Sequence, residues 1–246
     1  MDSDPSLRSK LLHQQSAHCA LLMLFFLLPH LGASQTSLSN VDLDRIPQKK
    51  VRKYFQKLSD QGIQSLAALS PQCYISNDSS QYSYHEKTYL VEAPIEKVWP
   101  IYKNTHPAEA WNGKMVSFGM LYDKTTNQIS YADDPYPAII PQQLLFVHLK
   151  IMGGLYKLAL ALEINRIEED EKLLEFCYVE YGKSQGTQRI TLAPKEGKTQ
   201  IIHSTYFKSE SKFRDKRLYP KLHTKAIDEY HQSIKQLVMK GEISSY

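Results

Sequence analysis

The run Tyr156-Lys157-Leu158-Ala159-Leu160-Ala161-Leu162-Glu163-Ile164-Asn165-Arg166-Ile167 decides how this chain is read. Leu158, Leu160, Leu162 and Ile164 recur at every second position, with Lys157, Ala159, Ala161, Glu163 and Asn165 between them. Side chains of a strand alternate between its two faces, so the pattern describes a half-buried antiparallel strand. Strand-like stretches continue over residues 173–181, 187–192 and 199–207. Turn-forming Glu169-Asp170-Glu171 and residues 182–186 and 194–197 separate them. On the other side, residues 143–151 read as a strand that Gly153-Gly154 turns back. Residues 115–122 and 128–131 flank Asp123-Lys124-Thr125-Thr126-Asn127, a hairpin-like connection, and Asp134-Pro135-Tyr136-Pro137 and Pro141 mark a rigid loop. Short turns between successive strands make an antiparallel meander, without parallel crossovers.

Helices bracket this meander. Residues 82–91, rich in Tyr, Thr and Val, form a first strand. After Ala93-Pro94, residues Ile95, Val98, Trp99 and Tyr102 share one helical face, and Pro100 is expected to kink or shorten that helix. A second short helix is expected near residues 107–111, stopped by Asn112-Gly113. At the C-terminal end Pro220 suits a first helical turn, and Ile227, Tyr230, Ile234, Leu237 and Val238 form an apolar stripe before a cap at Gly241. Strand, two short helices, meander and one long helix make an α+β arrangement. A sheet whose apolar face must cover a single helix curls around it. One helix is narrower than such a sheet, so space is expected between them near the two short helices, lined by the leucine face.

The stretch Tyr89-Leu90-Val91-Glu92-Ala93-Pro94-Ile95-Glu96-Lys97-Val98-Trp99 resembles the opening signature of the START-like superfamily, which includes polyketide cyclases, lipid-transfer domains and the birch-pollen-allergen group. That signature is a strand, then apolar-x-Ala-Pro-x-x-x-Val-Trp, then a helix. The element order is similar over residues 82–240, and the motif is confined to these eleven residues. The resemblance implies a helix-grip fold, a curved antiparallel sheet wrapped around a long C-terminal helix. It carries no catalytic residue across, because the superfamily has no universal ones.

Residues 1–33 read as a signal peptide. Arg8 and Lys10 precede an apolar run at 20–28, followed by Pro29 and the small residues of Leu31-Gly32-Ala33-Ser34-Gln35. The run is shorter than the roughly 20 residues of a spanning helix. Export to a periplasmic or extracellular compartment is therefore expected; an uncleaved anchor, or a start at Met23, are the other readings. Cys19 would be lost with the peptide. Cys73 and Cys177 then either pair in an oxidising compartment or stay as two buried thiols. Asn77-Asp78-Ser79 is a glycosylation acceptor if the source is a eukaryote. Residues 34–81 form a linker and helical extension. Residues 47–58 place Val51, Tyr54, Phe55 and Leu58 on one helical face, and 61–69 hold a second helical piece. So few apolar residues cannot form a core alone, and the extension is expected to pack on the main domain, residues 82–246.

Composition narrows the function. A hydrophobic fraction of 42% and a charged fraction of 23% fit a globular chain. A net charge of +4 without a run of five basic residues argues against nucleic acid. Neither HExxH nor CxxC occurs, nor a Gly-x-Ser-x-Gly elbow or glycine-rich phosphate loop, so no metal, nucleophile or cofactor is assigned. His223 and His231 lie eight apart with Asp228 between them, which is not metal-ligand spacing.

The preferred reading is binding or transport of a hydrophobic small molecule or lipid, without a committed reaction. Leu158, Leu160 and Leu162 would face the ligand, with Phe176, Tyr178, Ile190 and His203 on later strands. Tyr230 would face it from the helix, and Trp111 and Phe118 from the mouth. Against this stands the plain reading that such residues only fill a core. The alternative is a cavity enzyme of cyclase, dehydratase or hydrolase type, using His148, Tyr178, Glu180 and His203 as acid–base groups. A structural or partner-binding domain is the third reading. Residues 212–220, with four basic side chains beside Phe213, Leu218 and Tyr219, fit weak membrane-surface contact or a solvated approach to the last helix.

Overall fold

The computed structural model describes residues 37–136 and 138–241, so the signal-peptide reading lies outside the described residues. Eight strands form one antiparallel sheet: β1 (Ser83–Val91), β2 (Val116–Asp123), β3 (Gln128–Ser130), β4 (Gln143–Ile151), β5 (Tyr156–Glu168), β6 (Leu173–Tyr178), β7 (Gln185–Lys195) and β8 (Lys198–Lys208). Their spatial order is β1-β8-β7-β6-β5-β4-β2-β3, a sequential meander from β4 to β8 with β1 closing one side. Helix α1 (Lys49–Asp60) precedes the sheet, α2 (Ile95–Asn104) and α3 (Pro107–Ala110) follow β1, and α4 (Tyr219–Lys240) ends the fold. The concave face grips α4. Its Tyr230 and Ile234 are buried with Ile164, Leu174, Ile190 and Ile201 of the sheet, and Gly241 caps it in the left-handed region.

Two local expectations change. Helix α2 runs through Pro100 to Asn104. The missing N–H costs about 3 kcal/mol, while burying Val98, Trp99, Ile101 and Tyr102 returns about 1.5–3 kcal/mol for each large side chain. Burial wins. The turn expected over residues 194–197 is only Glu196-Gly197, with φ of 52° and 76°, which suits a two-residue hairpin and lengthens both strands. Pro194 is accommodated because β7 pairs with β6 only as far as Thr191, leaving one side of the strand open.

The extension covers the convex face. Val51, Tyr54, Phe55 and Leu58 of α1 pack on Met120, Tyr122, Leu144 and Phe146 of β2 and β4. A bulge between Phe118 and Met120 places Gly119 under the helix, where a Cβ would lie 2.9 Å from the Phe146 carbonyl and 3.0 Å from Val51. Burial on both faces explains why β2 and β4 read as continuous apolar runs rather than alternating ones.

Two ties lock these layers. Glu229 of α4 accepts from the backbone N–H of Met115 and Val116 at 2.7 and 3.0 Å, and a Cβ at Gly113 would lie 1.9 Å from its carboxylate. The Asn112-Gly113 stop therefore has a tertiary cause. On the other side the Gln72 N–H donates to the Tyr178 carbonyl at 2.6 Å, and the Gly186 N–H donates to the Gln72 carbonyl at 2.7 Å. Beside them Cys73 and Cys177 form a disulfide across 104 residues, which decides between the two readings of these cysteines. Replacing both cysteines by alanine is expected to lower unfolding free energy by about 2–5 kcal/mol. Urea unfolding in non-reducing buffer checks this, and equal midpoints for the two proteins would show that the bond constrains nothing.

Candidate ligand cavity and buried hydrogen-bond chain

Strand β5 is longer than its neighbour. It pairs with β4 from Glu163 back to Tyr156, but with β6 only from Leu162 onward. The Val179 N–H donating to the Ala161 carbonyl at 3.1 Å is the last rung. Beyond it the chain turns away through Tyr181, whose φ is 63°, and residues 156–160 keep a partner on one side alone. A cavity of about 410 Å³ occupies the room this leaves. Leu158, Leu160 and Leu162 line it from the sheet, and Leu222, His223, Ala226 and Ile227 line it from α4. Its wall also includes outward-facing Lys157 and Ala159 with Lys50, Lys53, Tyr54 and Lys57 of α1. The cavity therefore reaches the convex side through the gap between β5 and the β6–β7 loop.

Five residues expected to face a ligand line this space: Trp111, Leu158, Leu160, Leu162 and Tyr178. Four others sit in packed clusters outside its wall. Phe118 lies against His106, ring centroids 5.7 Å apart. Phe176 and Ile190 pack with Ile164 and Tyr230, and the Tyr230 ring lies 4.4 Å from that of Trp111. The space expected beside α2 and α3 is closed by these rings, and the cavity lies farther along β5. His203 is 1% exposed and does not line it.

His203 reaches the cavity through other side chains. Its Nε2 lies 3.1 Å from Gln188 Oε1, an oxygen that only accepts, so His203 Nε2 carries the proton and Nδ1 is an acceptor. His231 Nε2 must then donate to His203 Nδ1 at 2.9 Å, and the Tyr102 hydroxyl donates to His231 Nδ1 at 2.6 Å. His223 Nε2 donates to the same Gln188 oxygen at 3.1 Å. The Gln188 amide donates onward to the Tyr178 hydroxyl at 3.2 Å, which hydrogen-bonds Tyr219. Every direction is consistent with three neutral imidazoles.

Electrostatics agrees. Burial, followed by the neighbouring histidines, holds His203 and His223 well below the ordinary histidine range. Burial first, then His223 and Lys87, pushes His231 down to about 3. Burial raises the Tyr178 hydroxyl. This leaves His223 Nδ1 as a buried lone pair without a partner, on a ring that belongs to the cavity wall.

The other acid–base candidates lie elsewhere. Both ring nitrogens of His148 are buried without a hydrogen bond, and Glu180 accepts from the Ser70 N–H at 2.9 Å, fastening the extension. Sequence reasoning missed Gln188, His223 and the α1 lysines. Gln188 could have been found as a polar residue in phase with Ile190, and His223 as the position one turn before Ile227 on the apolar stripe. Among the described residues, no group of three His, Cys, Asp or Glu side chains is placed to hold a metal ion.

A curved eight-stranded antiparallel sheet closed on a long C-terminal helix is a helix-grip architecture. Solved structures similar to this chain include norcoclaurine synthase from Thalictrum flavum, with 13% identity, 69% of this chain and 94% of that one covered, and a TM-score of 0.48. Ginseng major latex-like protein 151 from Panax ginseng shows 9% identity, covers 63% and 97%, and gives a TM-score of 0.46. A protein from Nitrosospira multiformis shows 11% identity, covers 63% and 96%, and gives 0.42. No family model and no curated protein matches the sequence. Likeness at this level transfers no ligand or activity.

The buried histidines make stability depend on pH. Their folded proton affinities lie below the ordinary value of 6.5, so the unfolded chain binds more protons as pH falls. Their contribution is complete above about pH 6.5 and is lost progressively toward about pH 3. The urea midpoint is expected to fall between about pH 7 and pH 5, before most carboxylates titrate. A flat profile over that interval would contradict neutral burial.

Proposed function

We propose that this protein binds or carries a hydrophobic small molecule or lipid in the cavity between the sheet and α4. The observation that carries this reading is the space of about 410 Å³ between Leu158, Leu160 and Leu162 on β5 and Leu222, Ala226 and Ile227 on α4. That volume falls in the range of small-molecule pockets, about 300–1,000 Å³, which are mostly apolar with few polar groups. A Leu160→Trp variant places an indole in this space at a position that is only partly buried. Wild-type protein purified from its own source is expected to show an added ligand mass by native mass spectrometry. The Leu160→Trp protein should lose that mass while keeping a cooperative thermal transition. A bare chain mass in the wild type, with no uptake of added apolar probes, would reject the proposal.

One observation favours acid–base catalysis as a second reading: the unpartnered lone pair of His223 at the cavity wall, backed by Gln188, His203, His231 and Tyr102. A general base works best when its proton affinity lies near the working pH. Burial holds His223 well below that point, so binding ranks first. Recovery of the guest chemically unchanged after incubation separates the two.

Export is part of the same proposal. Arg8, Lys10, the apolar run at residues 20–28 and the small residues around Ala33 support it, as does a disulfide, which persists in oxidising compartments. The protein recovered from its source is expected to begin near Ser34, as read by intact mass and N-terminal peptide sequencing. A chain retaining Met1 would remove the cleaved-signal reading.

A further inference from the structure

Five lysines ring the outer mouth of the cavity. Lys50, Lys53 and Lys57 stand on one face of α1, Lys157 on β5 and Lys183 on the β6–β7 loop, and all five line the opening. Each is exposed. Among the described residues none of the five forms an ion pair, whereas Arg45, Lys87, Lys103, Lys124, Arg189 and Lys198 each meet an Asp or Glu. No carboxylate belongs to the cavity wall. Asp215 accepts from the N–H and hydroxyl of Ser209, and Glu180 accepts from Ser70. Arg214, also at the mouth, is turned to the Lys183 carbonyl and Ser184.

Such a cluster repels itself. Like charges one turn apart on a helix oppose folding, and the field reaches His148, where burial and then Lys150, Lys157 and Lys50 hold the ring neutral. An anion at the mouth relieves this repulsion. Among the described residues the wall carries no cation besides these lysines and Arg214, and burial holds His223 neutral.

We propose that the guest is an amphiphile with an anionic head, a carboxylate or phosphate, held by Lys50, Lys53, Lys57, Lys157 and Lys183, its apolar tail lying against Leu158, Leu160 and Ile227. This rests on the cavity reading and names the chemical class and orientation of its ligand. Lysine stems bury their methylenes along the tail near the mouth while their ammonium groups meet the head. Several exposed pairs each contribute modestly and are screened by salt, so head-group preference belongs to low ionic strength.

The test uses the full chain loaded with Nile red, displaced in turn by dodecanoate, dodecyl phosphate, 1-dodecanol and dodecyltrimethylammonium. Both anions are expected to bind about tenfold or more tightly than the alcohol at low salt, with the cation weakest. A quadruple variant, Lys50→Gln, Lys53→Gln, Lys57→Gln and Lys157→Gln, should bring the anion-to-alcohol ratio near one, because any loss of stem contact weakens anion and alcohol alike. High salt should do the same in the wild type. Equal binding of alcohol and anions would overturn the head-group inference while leaving the cavity reading intact. Failure of all four to displace the dye, with Leu160→Trp behaving as wild type, would overturn both. Binding only to vesicles of phosphatidylcholine and phosphatidylglycerol, without displacement by soluble anions, would assign the lysines to a membrane surface and reject an anionic guest.

Discussion

The ladder between β5 and β6 ends at Ala161 and Val179, and the functional geometry follows from that ending. A strand whose edge loses its partner leaves both a gap in the sheet and apolar side chains with nothing to cover them. Here those side chains are Leu158 and Leu160. The far edge of β6 is tied down at the same point. The Ser70 and Gln72 backbone takes up hydrogen bonds from the Glu180 and Gly186 N–H groups, Pro71 bridges to Val179, and the disulfide holds Cys177 beside them. These bonds occupy the edge of β6 that faces β7, beyond the Cys177–Thr187 pair, and hold the chain just before it turns away at Tyr181.

The extension therefore does two things for the site. Residues 70–73 fasten the end of β6 beside the opening, and α1 brings Tyr54 and three lysines to the edge of that opening. The helix can do so because its own apolar face is buried on Met120, Tyr122 and Phe146, with Gly119 yielding the space beneath it. On the inner side α4 is held by Glu229 against the start of β2, so the distance between helix and leucine face is set by backbone contacts rather than by side-chain filling alone.

The buried chain from Tyr102 to Tyr219 has a different character. Its seven side chains could have competed for water, yet six hydrogen bonds join them to one another. Fully satisfied networks of this kind specify one packing, because any shift leaves a buried polar atom unpaired. The exception is His223 Nδ1, buried without a partner on a ring that belongs to the cavity wall.

What the sequence determined by itself was the local geometry: the period-two run of β5, the helical stripe of α4, the strand and helix around Ala93-Pro94, and hence the curved sheet with a helix in its grip. Those signals survive because each depends on neighbours a few residues away. Only the tertiary structure decided which apolar side chains border empty space. Phe176, Ile190 and Tyr230 carry the same inward phase as Tyr178 and Leu160, but ring packing among them fills their part of the interior. Only folding decided, too, that Lys50, Lys53 and Lys57 stand beside Lys157 and Lys183, and that His203 and His223 meet at Gln188 with His231 behind His203. Those groups are separated by as many as 133 positions in the chain, Lys50 to Lys183, and proximity over such distances is set by how strands and helices stack, which no local pattern encodes.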